Sequence, residues 1–167
     1  MTTPEAITAL PTSPAMQQVI EAIASITDAD FNPGCVLWLR HPYHSALYIE
    51  RTSDHEVSVT ASAEPLPKKL KLPLDPADYA PGDSATFFVT PDGWVLSLMI
   101  WHDQPYVTAR LGEDGSIHTS ASLLAYLTAV IERWAAALVN SGYLAVAADP
   151  RLSLVSQVVR QEEAASG

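Results

Sequence analysis

Charge is scarce in this chain of 167 residues. Asp, Glu, Lys and Arg together make up 17% of it, where ordinary soluble domains carry about 25%. Basic residues are the rarer sign, 9 against 19 acidic ones, which leaves a net charge of −10. Phosphate binding draws on a basic face, so direct nucleic-acid binding is excluded from the expectations. A protein partner of basic character is compatible with the surplus, because opposite fields speed encounter. An acidic mimic of DNA is not favoured, since the carboxylates are thinly spread and form no dense run beyond Glu162-Glu163.

Cysteine is nearly absent. The single Cys35 rules out an intramolecular disulfide, and its place at the head of the apolar run Cys35–Leu39 predicts a buried, inert thiol. With no cationic, apolar leader at Met1–Ala15, the expectation is a reducing, cytoplasmic setting. Long uncharged apolar runs are lacking too. The most apolar helical stretch, 121–139, carries Glu132 and Arg133, whereas a membrane span needs about 20 predominantly apolar residues. No membrane association is expected. Catalytic signatures are also missing: there is no G-x-S-x-G, P-loop, G-x-G-x-x-G or paired-carboxylate pattern. No catalytic, cofactor-binding or metal-ligating residue is assigned, and no cofactor is expected.

Apolar residues are plentiful, at 48% of the chain. A chain of about 150 residues can bury roughly 70% of its unfolded surface, so one domain without a disulfide or metal staple is feasible. The expected organisation is an N-terminal arm (1–12), a single domain (13–160) and a tail (161–167). Ser13-Pro14 reads as an N-cap with proline at the first helical position, followed by Met16, Val19, Ile20, Ile23 and Ile26 at helical spacing. Residues 35–40, 46–51 and 56–61 are β-rich runs joined by short connections, hence a first antiparallel meander. The connection 64–83 interrupts the pattern with five prolines and the lysines Lys68, Lys69 and Lys71. A connection of that length is uncommon in a compact domain, and Leu66, Leu70, Leu72 and Leu74 argue for a wrapping or edge segment.

A second meander follows at 85–90, 94–101, 106–111 and 116–118, punctuated by the turns Pro91-Asp92-Gly93 and Gly112-Glu113-Asp114-Gly115. The run 94–101 is apolar on both alternating sets and predicts a central strand covered on both faces. Ser120 opens a long helix to about Asn140, with Gly142 just past its end. Its core stripe contains Leu124, Leu127, Ile131, Trp134 and Leu138. Its back carries Ala121, Ala125, Ala129 and Ala136 instead of charge, which predicts a helix that is sandwiched or dimeric. Asp149-Pro150 is read as the start of a last helix bearing Leu152, Val155, Val158 and Val159.

The resulting fold class is α+β: an antiparallel sheet of about six strands in two successive meanders. A long helix in the C-terminal half packs on one side, with N- and C-terminal helices flanking it. In size, acidity and rough element order this resembles small acidic secretion chaperones. The likeness rests on no sequence motif, and the basic, Pro-rich connection departs from their pattern.

His41-x-x-His44 has the look of a metal pair, but a zinc site needs three or four converging ligands, and Pro42 accounts for the segment as a hairpin tip. His102-Asp103 contains a base and an orienter, yet adjacent strand-end residues point apart. Leu37–Tyr43 and Met99–Tyr106 share an apolar strand, a histidine and a Pro-Tyr return, compatible with a duplicated meander or with common turn chemistry. Aromatics supply area with a polar tip and suit both cores and interfaces. The candidate interaction residues are therefore Trp38, Tyr43, Tyr48, Trp101, His102 and Tyr106, with Ala125, Ala129 and Ala136 on the helix. The leading expectation is a non-enzymatic protein-binding module (chaperone, adaptor, immunity or inhibitor type) acting as a homodimer. The alternative is a small-molecule-binding domain, with catalysis left open, that has an aromatic and histidine pocket near the 41–44 and 102–106 turns.

Overall fold

The computed structural model of the protein describes residues 10–62, 83–102 and 104–157. Most of the expected N-terminal arm, the connection 64–83 apart from Asp83, the pairing of His102 with Asp103, Val158, Val159 and the tail lie outside the described residues.

Helix α1 (Pro14–Ile26) buries Met16, Val19, Ile20 and Ile23 of the expected apolar set, together with Ala24, whereas Ile26 at its end is 42% exposed. The manner of its capping differs from the sequence expectation. Ser13 holds the N-cap position without a side-chain cap bond, and its buried Oγ has no partner among the described residues. Instead, the backbone N–H groups of Ala15 and Met16 donate to Oε1 and Oε2 of Glu132, at 3.2 and 3.1 Å. A carboxylate from the long helix thus satisfies two of the donors that every helix start leaves open.

Seven strands form one antiparallel sheet. β1 (Cys35–Leu39), β2 (Ala46–Ser53) and β3 (Glu56–Ser62) make the first meander; β4 (Ser84–Thr90), β5 (Gly93–Trp101) and β6 (Gln104–Val107) make the second. β7 (Ala109–Leu111) and β8 (Ile117–Thr119) form a separate two-stranded hairpin, so the run expected over 106–111 is split at Thr108. Helices α2 (Ala121–Asn140) and α3 (Tyr143–Ala148) follow, and β9 (Ser153–Gln157) closes the chain onto β1. The strand order is β6-β5-β4-β3-β2-β1-β9. This is an α+β fold, with α2 as the long helix of the C-terminal half.

The last helix expected after Asp149-Pro150 is replaced by a short helix before that dipeptide and a strand after it. The cause is local. A residue that precedes proline is pushed out of the α region, and Asp149 is extended (φ −97°, ψ 110°) as the C-cap of α3. The Asp-Pro pair therefore stops a helix. Asp149 then organises the turn into β9: its carboxylate accepts the Arg151 N–H at 2.9 Å, and its carbonyl accepts from the N–H groups of Leu152 and Ser153. The exit of α2 uses a left-handed residue, Gly142 (φ +86°), in the turn to α3.

One face of the sheet carries Leu37, Leu39, Leu47, Ile49, Val57, Val59, Phe87, Leu96 and Met99, all essentially inaccessible to solvent. They join α1 and the α2 residues Leu124, Leu127, Ile131 and Trp134 in one core cluster. Each such buried side chain contributes about 1.5–3 kcal/mol relative to its exposed state. β5 is the penultimate strand, not a central one. Its second alternating set, Val95, Leu98 and Ile100, is also buried or half-buried, as expected for a strand covered on both faces, and a bulge opposite Thr86-Phe87 interrupts the alternation. Thr86 pairs with Leu98 and Phe87 with Leu96, so Ser97 is the extra residue, its hydroxyl donating to the Thr86 carbonyl at 3.0 Å. The alternation shifts by one there, which lets Leu96 and Met99 share the core face.

Candidate interaction surfaces

The sheet face away from the helices is built from two continuous cross-strand rows. The first runs Leu154, Trp38, Tyr48, Thr60, Ser84, Ile100 and Pro105 across all seven strands. The second runs Ser156, Val36, Glu50, Ser58, Thr86, Leu98 and Val107. Hydroxyl residues fill the middle of both rows; the first ends in Leu154 and Trp38 on one side and Ile100 and Pro105 on the other, while the second ends in Ser156, Val36 and Glu50 on one side and Leu98 and Val107 on the other. Trp38 and Tyr48 are directly opposite one another and half-buried. The Arg40 guanidinium lies 5.7 Å from the Trp38 ring centroid, within cation–π range. Burial, and next the neighbouring Glu50 carboxylate, which also accepts the phenol's hydrogen bond at 3.4 Å, push the Tyr48 hydroxyl above its ordinary pKa.

The remaining aromatic candidates do not join this pair. Tyr106 pairs with Met99, a core-face position. Trp101 and Tyr106 are half-buried against the core cluster, at the β6 edge of the sheet. Trp101 stacks on His102, with ring centroids 5.3 Å apart. His102 sits at a left-handed turn position (φ +52°) and donates its backbone N–H to Oδ1 of the buried Asp83 at 3.1 Å.

The His41–His44 turn lies at the same end of the sheet as His102. β1 and β5 are separated by four strand steps, about 19 Å at the usual spacing. The two histidine turns therefore do not form one pocket. His41 is held by the end of α2 and start of α3. Its Nε2 lies 2.6 Å from the Ser141 carbonyl, and its Nδ1 accepts the Tyr43 N–H at 3.0 Å. A carbonyl only accepts, so Nε2 carries the proton and the ring is a neutral imidazole with both nitrogens engaged. Its ring packs 4.5 Å from His44 and 4.8 Å from Tyr143. The buried Tyr143 donates its hydroxyl to the Ser45 carbonyl. Burial lowers the His41 pKa below the ordinary value; the Ser141 carbonyl opposes this and His44 adds to it. Tyr43 is exposed at the tip. Cys35 is fully buried, and burial followed by the charge of Asp30 raises its thiol pKa. Among the described residues, no three His, Cys, Asp or Glu side chains gather as a metal site.

Compared with known proteins, the chain matches no family model, no curated protein and no solved structure. The functional reading rests on surface geometry.

Two surfaces remain. The outer side of α2 exposes Ala125, Ala129 and Ala136, the three alanines singled out from the sequence. It also exposes two large apolar residues that sequence reasoning passed over, Tyr126 (59% exposed) and Val139 (44%). Glu132 is turned to the start of α1, which leaves Arg133 as the exposed charge along this side. α2 is long and apolar enough to cross a membrane by length and composition alone, yet its inner stripe is a large part of the core. A groove of about 310 Å³ between α1, α2 and α3 continues the surface, lined in part by Val19, Ala22, Ala136, Val139 and Leu144.

The second surface is a groove of about 620 Å³ at the opposite end of the sheet from the histidine turns. It lies between the β7–β8 hairpin and the β2–β3 and β4–β5 turns, with Phe88, Val89, Pro91, Leu111 and Ile117 as its apolar lining and His55 and Glu56 at its polar side. No sequence signal marked it, because its walls come from three turns distant in the chain.

Proposed function

We propose that this protein is a non-enzymatic, acidic protein-binding module that works as a homodimer in the cytoplasm and takes its partner on the outer side of α2. The supporting observation is the charge-poor α2 surface, Ala125, Tyr126, Ala129, Ala136 and Val139 with Arg133 as its one exposed charge, running into the groove beside α1 and α3. Small residues let a second backbone approach closely, while Tyr126 and Val139 supply apolar area at either end. The net charge of −10 steers a basic partner, so association slows as salt rises. A photo-crosslinking residue at position 129 is expected to capture one partner species in cells, and the same residue at the exposed Glu113 is not. Capture that is equal at both positions, or that survives Ala125→Arg and Ala136→Arg, refutes the surface.

The groove at the β7–β8 hairpin favours a second reading, a small apolar ligand. Native mass spectrometry then finds a reproducible extra mass that is lost on denaturation and absent in Ile117→Trp, which fills the groove. A bare chain mass in gently purified protein removes this reading.

A further inference from the structure

The two edges of the seven-stranded sheet are not alike, and the difference points to how two copies join. In an antiparallel ladder, the residues whose backbone groups face the neighbour alternate with residues whose groups face away. The Thr108 N–H donates to the Ser97 carbonyl. In the register that pairs Leu98 with Val107 and Ile100 with Pro105, this directs Gln104 and Tyr106 toward β5. Pro105 and Val107 then face the open side. Proline has no N–H, so that edge is blunted at its centre.

The β9 edge has no such protection. The Arg40 N–H donates to the Leu152 carbonyl at 2.7 Å. With Trp38 opposite Leu154 and Val36 opposite Ser156, Leu154 and Ser156 are the residues bonded to β1. Ser153, Val155 and Gln157 face outward. The Ser153 N–H is already taken by the Asp149 carbonyl, which leaves the Ser153 carbonyl, both groups of Val155 and both groups of Gln157 on an edge that no strand among the described residues covers. Ser153–Gln157 contains no charge and no proline. Leu154 and Val155 are 56% and 41% exposed, on opposite faces of the strand.

We infer that the β9 edge is the contact between two copies of this chain, paired antiparallel about a two-fold axis through Val155. The outward groups match under that axis. Val155 of one copy exchanges two hydrogen bonds with Val155 of the second, and each Gln157 N–H donates to the Ser153 carbonyl opposite. Four intermolecular bonds form and no outward donor is left facing a donor. Leu154 falls beside Ser156 of the second copy, so no like charges meet. For two chains of net charge −10, an uncharged edge is where close approach costs least. A second copy fits this edge better than a basic peptide, because β9 has no carboxylate to receive one. The inference rests on the homodimer proposed above and names its contact.

The test is mass in solution by native mass spectrometry and sedimentation, on the wild type, Val155→Pro, Val155→Lys and Ala129→Arg. Val155→Pro removes an outward N–H and leaves the β1 ladder intact, and Val155→Lys adds edge charge. Both are expected to remain folded by circular dichroism and to weaken the dimer: Val155→Pro by about ten- to a hundredfold, the loss of the two Val155 hydrogen bonds, and Val155→Lys by bringing two ammonium groups together at the two-fold axis. Ala129→Arg stays dimeric. Amide exchange on the wild type gives a readout that needs no variant: Val155 and Gln157 N–H are protected, and protection falls on dilution. A wild type that is monomeric at all concentrations overturns the homodimer itself. A dimer that persists in both Val155 variants, or unprotected Val155 and Gln157 amides within a dimer, overturns the edge contact and leaves the homodimer standing. Protection of Val155 only in a complex with another protein assigns the edge to that partner and overturns the inference.

Discussion

The start of α1 offers a sharp test, because two residues compete for the role of cap. The sequence nominates Ser13, yet the structure gives the work to Glu132, whose two carboxylate oxygens accept from Ala15 and Met16 at 3.2 and 3.1 Å. Hydrogen bonds to a charged group contribute about 1.5–3 kcal/mol, and a carboxylate at a helix N-terminus adds about 0.3–1 kcal/mol at exposed sites. The contact is only part-buried, so the two bonds are discounted for solvent to the size of a strong helix cap, and Glu132→Ala is expected to cost about 2 kcal/mol. For a chain of this size that lowers Tm by about 4–8 °C. Glu132→Gln keeps one acceptor without the charge and is expected to cost about half as much. Ser13→Ala removes a buried hydroxyl that has no partner among the described residues and should be neutral or slightly stabilising. Urea unfolding at constant m-value reads all three. If Ser13→Ala costs 1 kcal/mol or more while Glu132→Ala costs nothing, the capping assignment is wrong.

Three further outcomes are expected. His41 has a folded pKa below its unfolded value near 6.5, owing chiefly to burial. Its contribution is therefore fully present above that unfolded pKa and lost as pH falls through the folded one. Urea midpoints should drop between pH 7.5 and pH 5, and His41→Gln should shrink the drop; an unchanged drop refutes the role. Gly142→Ala meets no atom within 4 Å of the added Cβ, but the residue is held at φ +86°. The cost is conformational, about 1–2 kcal/mol, and equal stability by denaturant titration contradicts it. Cys35, fully buried with a raised thiol pKa, should react with a thiol reagent only at the rate of unfolding; prompt modification of the native protein contradicts that.

Much of the fold was legible because its signals are local. Val57, Val59 and Ala61 alternate with hydroxyl residues along β3, and the Asp-Gly turn at 92–93 fixes the β4–β5 hairpin. What the sequence hid is what only distant partners decide. Leu152 and Val155 have helical spacing, but Ser153–Gln157 becomes a strand because β1 offers it a free edge more than a hundred residues earlier. The split at Thr108 has a similar origin, its hydroxyl donating to the Leu96 carbonyl at 2.6 Å. Among the candidate residues, the pairing of Trp38 with Tyr48 follows from one short hairpin, while the separation of both from Trp101 and Tyr106 follows from strand order. The contact of His41 with Tyr143 and Ser141 joins residues about a hundred positions apart, beyond any local pattern.

The closure of β9 onto β1 also bears on synthesis. A ribosome delivers β1, the apolar segment Cys35–Leu39, long before the strand that covers its outer edge. At about 5–20 residues per second, the interval is on the order of ten seconds. Through that time β1 has β2 on one side and nothing native on the other, at a stage when an uncovered strand edge invites pairing with neighbouring nascent chains. β9, the latest strand in the chain among the described residues, therefore covers that edge and ends an aggregation-prone period, so truncations just before Ser153 should reduce soluble yield well beyond the few contacts they delete.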